Sequence, residues 1–329
     1  MATETHRKTV MTTNAITPGL KSAAMDPALA GFLAQAAAQG NPPLESLPPA
    51  IARQVYRELS GTLGLPAPAI AKVEDTSIPG PGGPLPLRVY SPGTAGPWPV
   101  LLYVHGGGFV IGDLETHDKV CRTLCYHAGM LVVAVDYRLA PENPFPAAPD
   151  DVEATLRWVL ANAAALGGDA ERIAVAGDSA GAQLALVAAR RVKADMVRAL
   201  GLIYPVAQHP SRPSASYQEN EGKFLSMSVM QWFMASYLGG SADAEKHPDY
   251  ALLDSGSLAS LPATWVATMG HDPLRDEGHA LALRIASTGV AVMHRHYPEA
   301  IHACIHFTAV SPVGQRIMVE LAQWLRARV

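Results

Sequence analysis

Apolar residues recur along this chain in three successive rhythms. The first is helical: a pattern opened by Asp26-Pro27 runs through the Ala-rich stretch at 34–38, and a second short helix is expected over 49–60. After Gly/Pro-rich sequence, residues 70–78 and 85–90 alternate between apolar and polar on either side of Pro79-Gly80-Pro81-Gly82-Gly83, which predicts an antiparallel hairpin. Beyond the hairpin, unbroken apolar runs take over at 100–104, 131–135, 173–176, 199–204, 264–269 and 290–297. Runs of this kind are expected of strands buried on both faces of a parallel sheet. Helical spacing fills the gaps at 116–127, 149–166, 180–193, 275–287 and 314–328. Repeated strand-then-helix units predict a doubly wound, mostly parallel α/β sheet of about eight strands flanked by helices.

One stretch breaks the repeat. About 60 residues, rich in Met, Trp, Phe and Tyr, separate the run ending at Tyr204 from the one starting near Thr264, too many for a simple crossover. Within them, 226–238 reads as a helix with apolar residues on more than one side: Met227, Met230, Trp232, Phe233, Met234 and Tyr237. That pattern suits either a cap over a hydrophobic pocket or a core helix. The expected organisation is a flexible extension at 1–24, N-terminal helices at 25–60 contributing to the cap, an α/β domain at 61–204 and 261–329, and a cap insertion at 205–260.

Composition narrows the class. Apolar residues make up 49% of the 329 positions and charged residues 16%, so a sizeable core can be buried. A net charge of −4 with no Lys/Arg cluster gives no attraction for phosphate backbones, and nucleic acid is not an expected partner. Cys121, Cys125 and Cys304 are too few and wrongly spaced for a disulfide framework or a four-ligand zinc site. Reduced, packed thiols are expected, with no metal and no cofactor. The N-terminus is polar and Thr-rich to about Thr17, and no apolar run of about 20 residues follows. Stable membrane insertion is therefore not expected, and a cytoplasmic location is the default.

The chemistry is concentrated in a few short segments. Gly177-Asp178-Ser179-Ala180-Gly181 follows the run 173–176 directly and opens an apolar-periodic helix. A strand-to-helix turn this sharp strains the serine backbone and lifts its oxygen above the sheet, with the helix N-terminus aimed at it. His105-Gly106-Gly107-Gly108-Phe109 ends the run 100–104. Its glycines let backbone amides face an oxyanion, whereas a phosphate loop would need a lysine that does not follow. A serine nucleophile needs a histidine base oriented by a carboxylate, and with a serine elbow of this type the order is serine, acid, histidine. Asp272 follows the run 264–269 at the carboxyl end of a strand, where such sheets bind ligands. Asp276 and Glu277 fall in the first turn of the next helix and suit its dipole. His302 lies in the loop after 290–297, His306 suits the packing that follows, and His294 and His296 alternate in a strand as surface residues without a third metal ligand. Side chains facing the substrate are expected from His105, Phe109, Trp232 and Phe233.

Taken together, these segments resemble the bacterial hormone-sensitive-lipase-like esterases from about Met25 to the C-terminus. The resemblance rests on His105 through Gly112, on Asp136-Tyr137-Arg138-Leu139-Ala140-Pro141-Glu142, on the elbow, on Asp272-Pro273-Leu274-Arg275-Asp276-Glu277-Gly278, and on the loop from Tyr297 to His302. It implies an α/β-hydrolase fold with a helical cap, and hydrolysis of short- to medium-chain carboxylic esters through an acyl-enzyme without a cofactor. It also implies oxyanion donors at the amides of Gly107, Gly108 and Ala180, and family habit favours a homodimer. Three departures stand out: Ala182-Gln183 after the elbow in place of glycine and asparagine, Ala303-Cys304 after His302 in place of glycine and phenylalanine, and the polar extension before Met25. The second leaves open a different seat for the histidine loop, with a thiol in the pocket wall. Two other readings keep much of this pattern: an amidase or activated-ester hydrolase with the same triad, and a small-molecule binder like the plant hormone receptors that resemble the family but lack the histidine. His302 argues against the binder.

Overall fold

Strand β3 (Trp98–Val104) shows how the protein is layered. Val100, Leu102 and Val104 turn to one hydrophobic core, and Leu101 and Tyr103 turn to a second on the opposite face, because successive side chains of a strand point to opposite sides. Both faces are covered, so the strand reads as a continuous apolar run. The computed structural model describes residues 15–17, 19, 20, 22–192, 195–212 and 214–329. Among them, the sheet has eight strands in the order β1-β2-β4-β3-β5-β6-β7-β8.

The hairpin of β1 (Lys72–Gly80) and β2 (Gly83–Ser91) turns over Pro81-Gly82 and is antiparallel, as is the pairing of β2 with β4 (Leu131–Val135). From β4 onward every pairing is parallel, through β3, β5 (Gly168–Asp178), β6 (Ala199–Ile203), β7 (Ala263–His271) and β8 (Val292–Ile301). Helices α3 (Asp118–Ala128) and α10 (Val313–Arg326) pack into one core, and α4 (Ala147–Asn162), α5 (Ala180–Arg191) and α9 (Arg275–Ser287) into the other. The expected strands and helices are present, with ends shifted by a few residues. The expected end of the fifth-strand helix at Lys193 lies outside the described residues. Most of the segment expected to be a flexible extension, 1–24, lies outside them too. Within it, Ala15 pairs with the outer edge of β8, its N–H donating to Val292 O at 3.1 Å and its carbonyl accepting from His294 N at 2.9 Å. Ser22 Oγ donates to Gly270 O at 2.9 Å.

Two segments cross the carboxyl edge of the sheet. The first carries α1 (Pro27–Ala38) and α2 (Pro49–Leu63). Arg53 of α2 donates to Val110 O at 2.8 Å and Ala140 O at 2.9 Å while pairing with Glu142, which ties the helix to the loops after β3 and β4. The second runs between β6 and β7 and carries α6 (Ala215–Glu219), α7 (Met227–Leu238) and α8 (Ala242–Lys246). Helix α7 starts where Ser226 Oγ accepts from Val229 N at 3.2 Å and stops at Gly239 in the left-handed conformation.

The acids in the first turn of α9 do more than complement its dipole. Asp276 accepts from Ser216 N at 2.9 Å, and Glu277 accepts from Ala207 N at 2.8 Å and from the Tyr217 hydroxyl. Both thereby hold the start of the second crossing segment. Glu277 is 2% exposed; burial, with the nearby Asp272 charge adding to it, pushes its carboxyl up to about 8 against the pull of its hydrogen bonds. A carboxyl whose folded value exceeds its unfolded one stabilises the fold fully below the unfolded value, and that contribution is lost as pH rises through the folded one. Urea unfolding is accordingly expected to show stability declining from about pH 4.5 and levelling off beyond about pH 8. Glu277→Gln should flatten that part of the profile; an unchanged slope in the variant would count against a buried, protonating Glu277.

Candidate active site

The chain leaves β5 and enters α5 through Ser179, whose backbone sits at φ 54° and ψ −121°. A non-glycine residue in such a conformation costs on the order of 1–3 kcal/mol and must be held there by its surroundings. Ser179 N–H donates to Ile203 O of the neighbouring strand at 2.8 Å. Two residues on, a Cβ at Gly181 would lie 2.2 Å from Val104 O and 2.3 Å from His105 O, so only glycine lets the first turn of α5 press against the end of β3.

Three loops at this carboxyl edge converge on the serine. His302, just past β8, places Nε2 3.0 Å from Ser179 Oγ and Nδ1 2.8 Å from Asp272 Oδ2. Asp272, just past β7, is fully buried, and its other oxygen accepts from Leu274 N at 2.8 Å. Its backbone carbonyl accepts from the Asn220 side chain at 3.1 Å. Beneath the imidazole lies Tyr204, itself at φ 37°, with ring centroids 4.5 Å apart. With a carboxylate at Nδ1, the proton on that nitrogen is fixed, which leaves Nε2 as the acceptor facing the serine hydroxyl. Gly107 and Gly108 line the same cavity as Ser179 and His302. Ala180 opens α5, where the first N–H groups have no acceptor within the helix.

The cavity has a volume of about 440 Å³, and its lining is mainly apolar. Leu44, Leu47 and Tyr56 contribute from the N-terminal segment, and Tyr217, Phe224, Met230, Phe233 and Met234 from the segment between β6 and β7. Of the four side chains expected to face substrate, Phe233 lines this cavity and the other three do not. His105 is buried below the glycine loop, stacked on Tyr137 at 4.2 Å with Nδ1 2.8 Å from Gly106 O. Phe109, at φ 65°, turns away and stacks on Tyr237 at 3.8 Å. Trp232 follows a different face of α7: neighbours in a helix diverge by about 100°, so the cavity takes Met230, Phe233 and Met234 at helical spacing instead. Cys304 does not reach the cavity wall either. It is fully buried, burial pushes its thiol up, and Ala303 before it takes the left-handed backbone at φ 59°.

The competing residues occupy other roles. His306 is buried away from the serine, with Nε2 3.2 Å from the Tyr56 hydroxyl. His294 and His296 both approach the Thr268 hydroxyl, at 2.9 and 3.0 Å. The surface placement expected of His294 is wrong: it is 2% exposed, because the face of β8 that carries it is covered by α9. Among the described residues, one group brings three metal-ligating side chains within 4.8 Å, namely His117, Asp178 and His306. Its carboxylate oxygen is already occupied by Tyr103 O–H at 2.8 Å and Gly106 N–H at 3.0 Å. Neither this group nor Tyr56, Tyr204 or Asn220 stood out from the pattern of residues along the chain. For Asp178 a signal existed, an acid directly after the apolar run 173–176 and Gly177.

A family model described as the α/β-hydrolase fold matches residues 101–306. The carboxylesterase NlhH of Mycobacterium tuberculosis is 40% identical over 242 residues, covering 70% of this chain and 74% of that protein. An ethyl acetate hydrolase of Pseudomonas putida is 35% identical over 292 residues, covering 86% and 92%. The structure of a hyperthermophilic esterase from the archaeon Pyrobaculum calidifontis superposes with a TM-score of 0.87 at 36% identity, covering 93% of this chain and 99% of that one. No helix among the described residues is long and apolar enough to cross a membrane. With the elbow, the glycine loop and the sheet order already in place, the matched span and these identities show that the chain belongs to the α/β-hydrolase-fold family.

Proposed function

We propose that Ser179, His302 and Asp272 are the nucleophile, base and orienting acid of a carboxylesterase acting on neutral esters with short to medium acyl chains. The protein is a carboxylic ester hydrolase, and the observation that carries the assignment of residues is the hydrogen-bond chain from Asp272 through His302 to Ser179 at 2.8 and 3.0 Å. His302 Nε2 takes the hydroxyl proton as Ser179 Oγ attacks the ester carbonyl, while Asp272 stabilises the imidazolium that forms. The amides of Gly107, Gly108 and Ala180 receive the oxyanion. Collapse expels the alcohol, protonated by His302, and leaves an acyl-enzyme; water activated by the same imidazole then releases the acid and restores the serine. The apolar wall of the cavity supports a neutral rather than charged acyl group. A homodimer belongs to the same proposal on the strength of the family resemblance, and a cytoplasmic location belongs to it as well.

Ser179→Ala and His302→Ala are each expected to lower kcat on p-nitrophenyl butyrate by at least about 10⁴-fold, with thermal melting temperatures close to that of the parent. Full activity without Ser179 would sink the assignment. Across p-nitrophenyl esters from acetate to laurate, kcat/KM should rise at first, each buried methylene adding about 0.8 kcal/mol, and then fall once a cavity of about 440 Å³ is filled. A steady rise through laurate would mean that the acyl chain lies elsewhere.

A further inference from the structure

Behind Ser179 lies a chain of buried polar groups that the hydrolytic scheme does not use. Asp178, between Gly177 and Ser179 in the elbow, is 2% exposed, and the His117 side chain approaches it, Nε2 to Oδ1 at 3.2 Å. The same oxygen accepts from Tyr103 O–H at 2.8 Å and from Gly106 N–H at 3.0 Å. His117 is 1% exposed, with its Nδ1 2.8 Å from Thr116 Oγ1. Thr116 closes a reciprocal turn with Asp113, which pairs with Arg57 of α2. On the far side, the His306 ring stands edge-on to His117 at 4.6 Å.

This network joins the nucleophile elbow to the glycine loop at one atom. The N–H of Gly106 lies between Asp178 Oδ1 and His117 Nε2, 3.3 Å from the latter. A Cβ at Gly106 would stand 2.4 Å from Asp178 Oδ2, so the loop's first glycine is pressed against the carboxylate itself. Gly107 and Gly108 follow immediately. Burial acts to raise the Asp178 carboxyl, yet His117, His306 and the Tyr103 hydroxyl outweigh it and hold the group well below the usual carboxylate range, which keeps it an ionised acceptor. Charge-assisted bonds of this kind are roughly twice as strong as neutral ones.

We propose that Asp178 is a positioning residue: its buried carboxylate, steadied by His117, sets where the Gly107 and Gly108 amides stand relative to Ser179 Oγ. This rests on the assignment of those amides as oxyanion donors. The chemistry predicts a particular kinetic signature. A loop displaced by a fraction of an ångström still admits the substrate, but it meets the developing oxyanion poorly, so the loss falls on the transition state rather than on binding.

The test compares the unaltered protein with Asp178→Asn and His117→Asn on p-nitrophenyl butyrate. Each would also be titrated with an alkyl boronic acid, which forms a tetrahedral adduct needing the oxyanion donors, and with a long-chain alcohol, which occupies the cavity without them. For Asp178→Asn, kcat is expected to fall about 10- to 100-fold and the boronate inhibition constant to rise by a similar factor, with KM and alcohol affinity unchanged. His117→Asn should shift the same two quantities by less. Unimpaired kcat in Asp178→Asn would overturn the proposal, as would a fall in kcat with boronate affinity unchanged. Should Asp178→Asn fail to fold, the same two results in His117→Asn would overturn it instead. Ser179→Ala separates the failures: activity in that variant defeats the triad assignment, whereas its inactivity beside an unimpaired Asp178→Asn defeats only the role of Asp178.

Discussion

The passage of the chain through Ser179 needs the middle of the sheet to be built first. At φ 54° and ψ −121° the serine backbone is unfavourable by itself, and it persists because both sides are occupied: Ile203 O takes its N–H, and Gly181 lies against the carbonyls ending β3. β5 therefore has to lie between β3 and β6, which is where the sheet order puts it. The remaining loops then arrive from defined directions, the glycine loop from β3 on one side and the Asp272 and His302 loops from β7 and β8 on the other. A strained turn of this kind couples the fidelity of the site to the packing of the whole central sheet.

The segments crossing the carboxyl edge are attached in two ways. They enter the apolar cores through side chains such as Leu29, Ala52, Leu225, Tyr237 and Leu238, and they are also fastened by charged and polar contacts: Arg53 to Val110 O, Ala140 O and Glu142, Asp276 to Ser216, and Glu277 to Ala207 and Tyr217. Directional contacts fix a register without demanding a large apolar seam. On α7 the apolar side chains divide between two tasks: Met230, Phe233 and Met234 line the cavity, while Tyr237 and Leu238 pack into the core.

Much of the architecture is legible from sequence because it rests on periodicity. Strands buried on both faces must be apolar throughout, so the runs at 100–104, 131–135 and 199–204 announce themselves, and the residues that end them mark the carboxyl edge where Ser179, Asp272 and His302 come together. What the pattern did not carry is direction. Phe109 stands beside the glycine loop in sequence, yet its positive φ sends the ring onto Tyr237. Trp232 and Phe233 are adjacent letters on different faces of one helix. Cys304 follows the histidine but is turned into the core by the left-handed step at Ala303. Asp178 was hidden for another reason: the elbow pattern leaves its second position open, and the partners Tyr103, Gly106 and His117 come from far upstream in the chain.

The pairing of Ala15 with β8 bears on how the sheet ends. A strand at the margin of a sheet presents a row of outward N–H and C=O groups, which any extended segment of another molecule can extend by strand addition. Here the carbonyl of Val292 and the N–H of His294 are satisfied by the chain's own Ala15, so at that register the ladder is closed from within. Growth of the sheet into a second molecule along β8 would first have to displace Ala15 from this register.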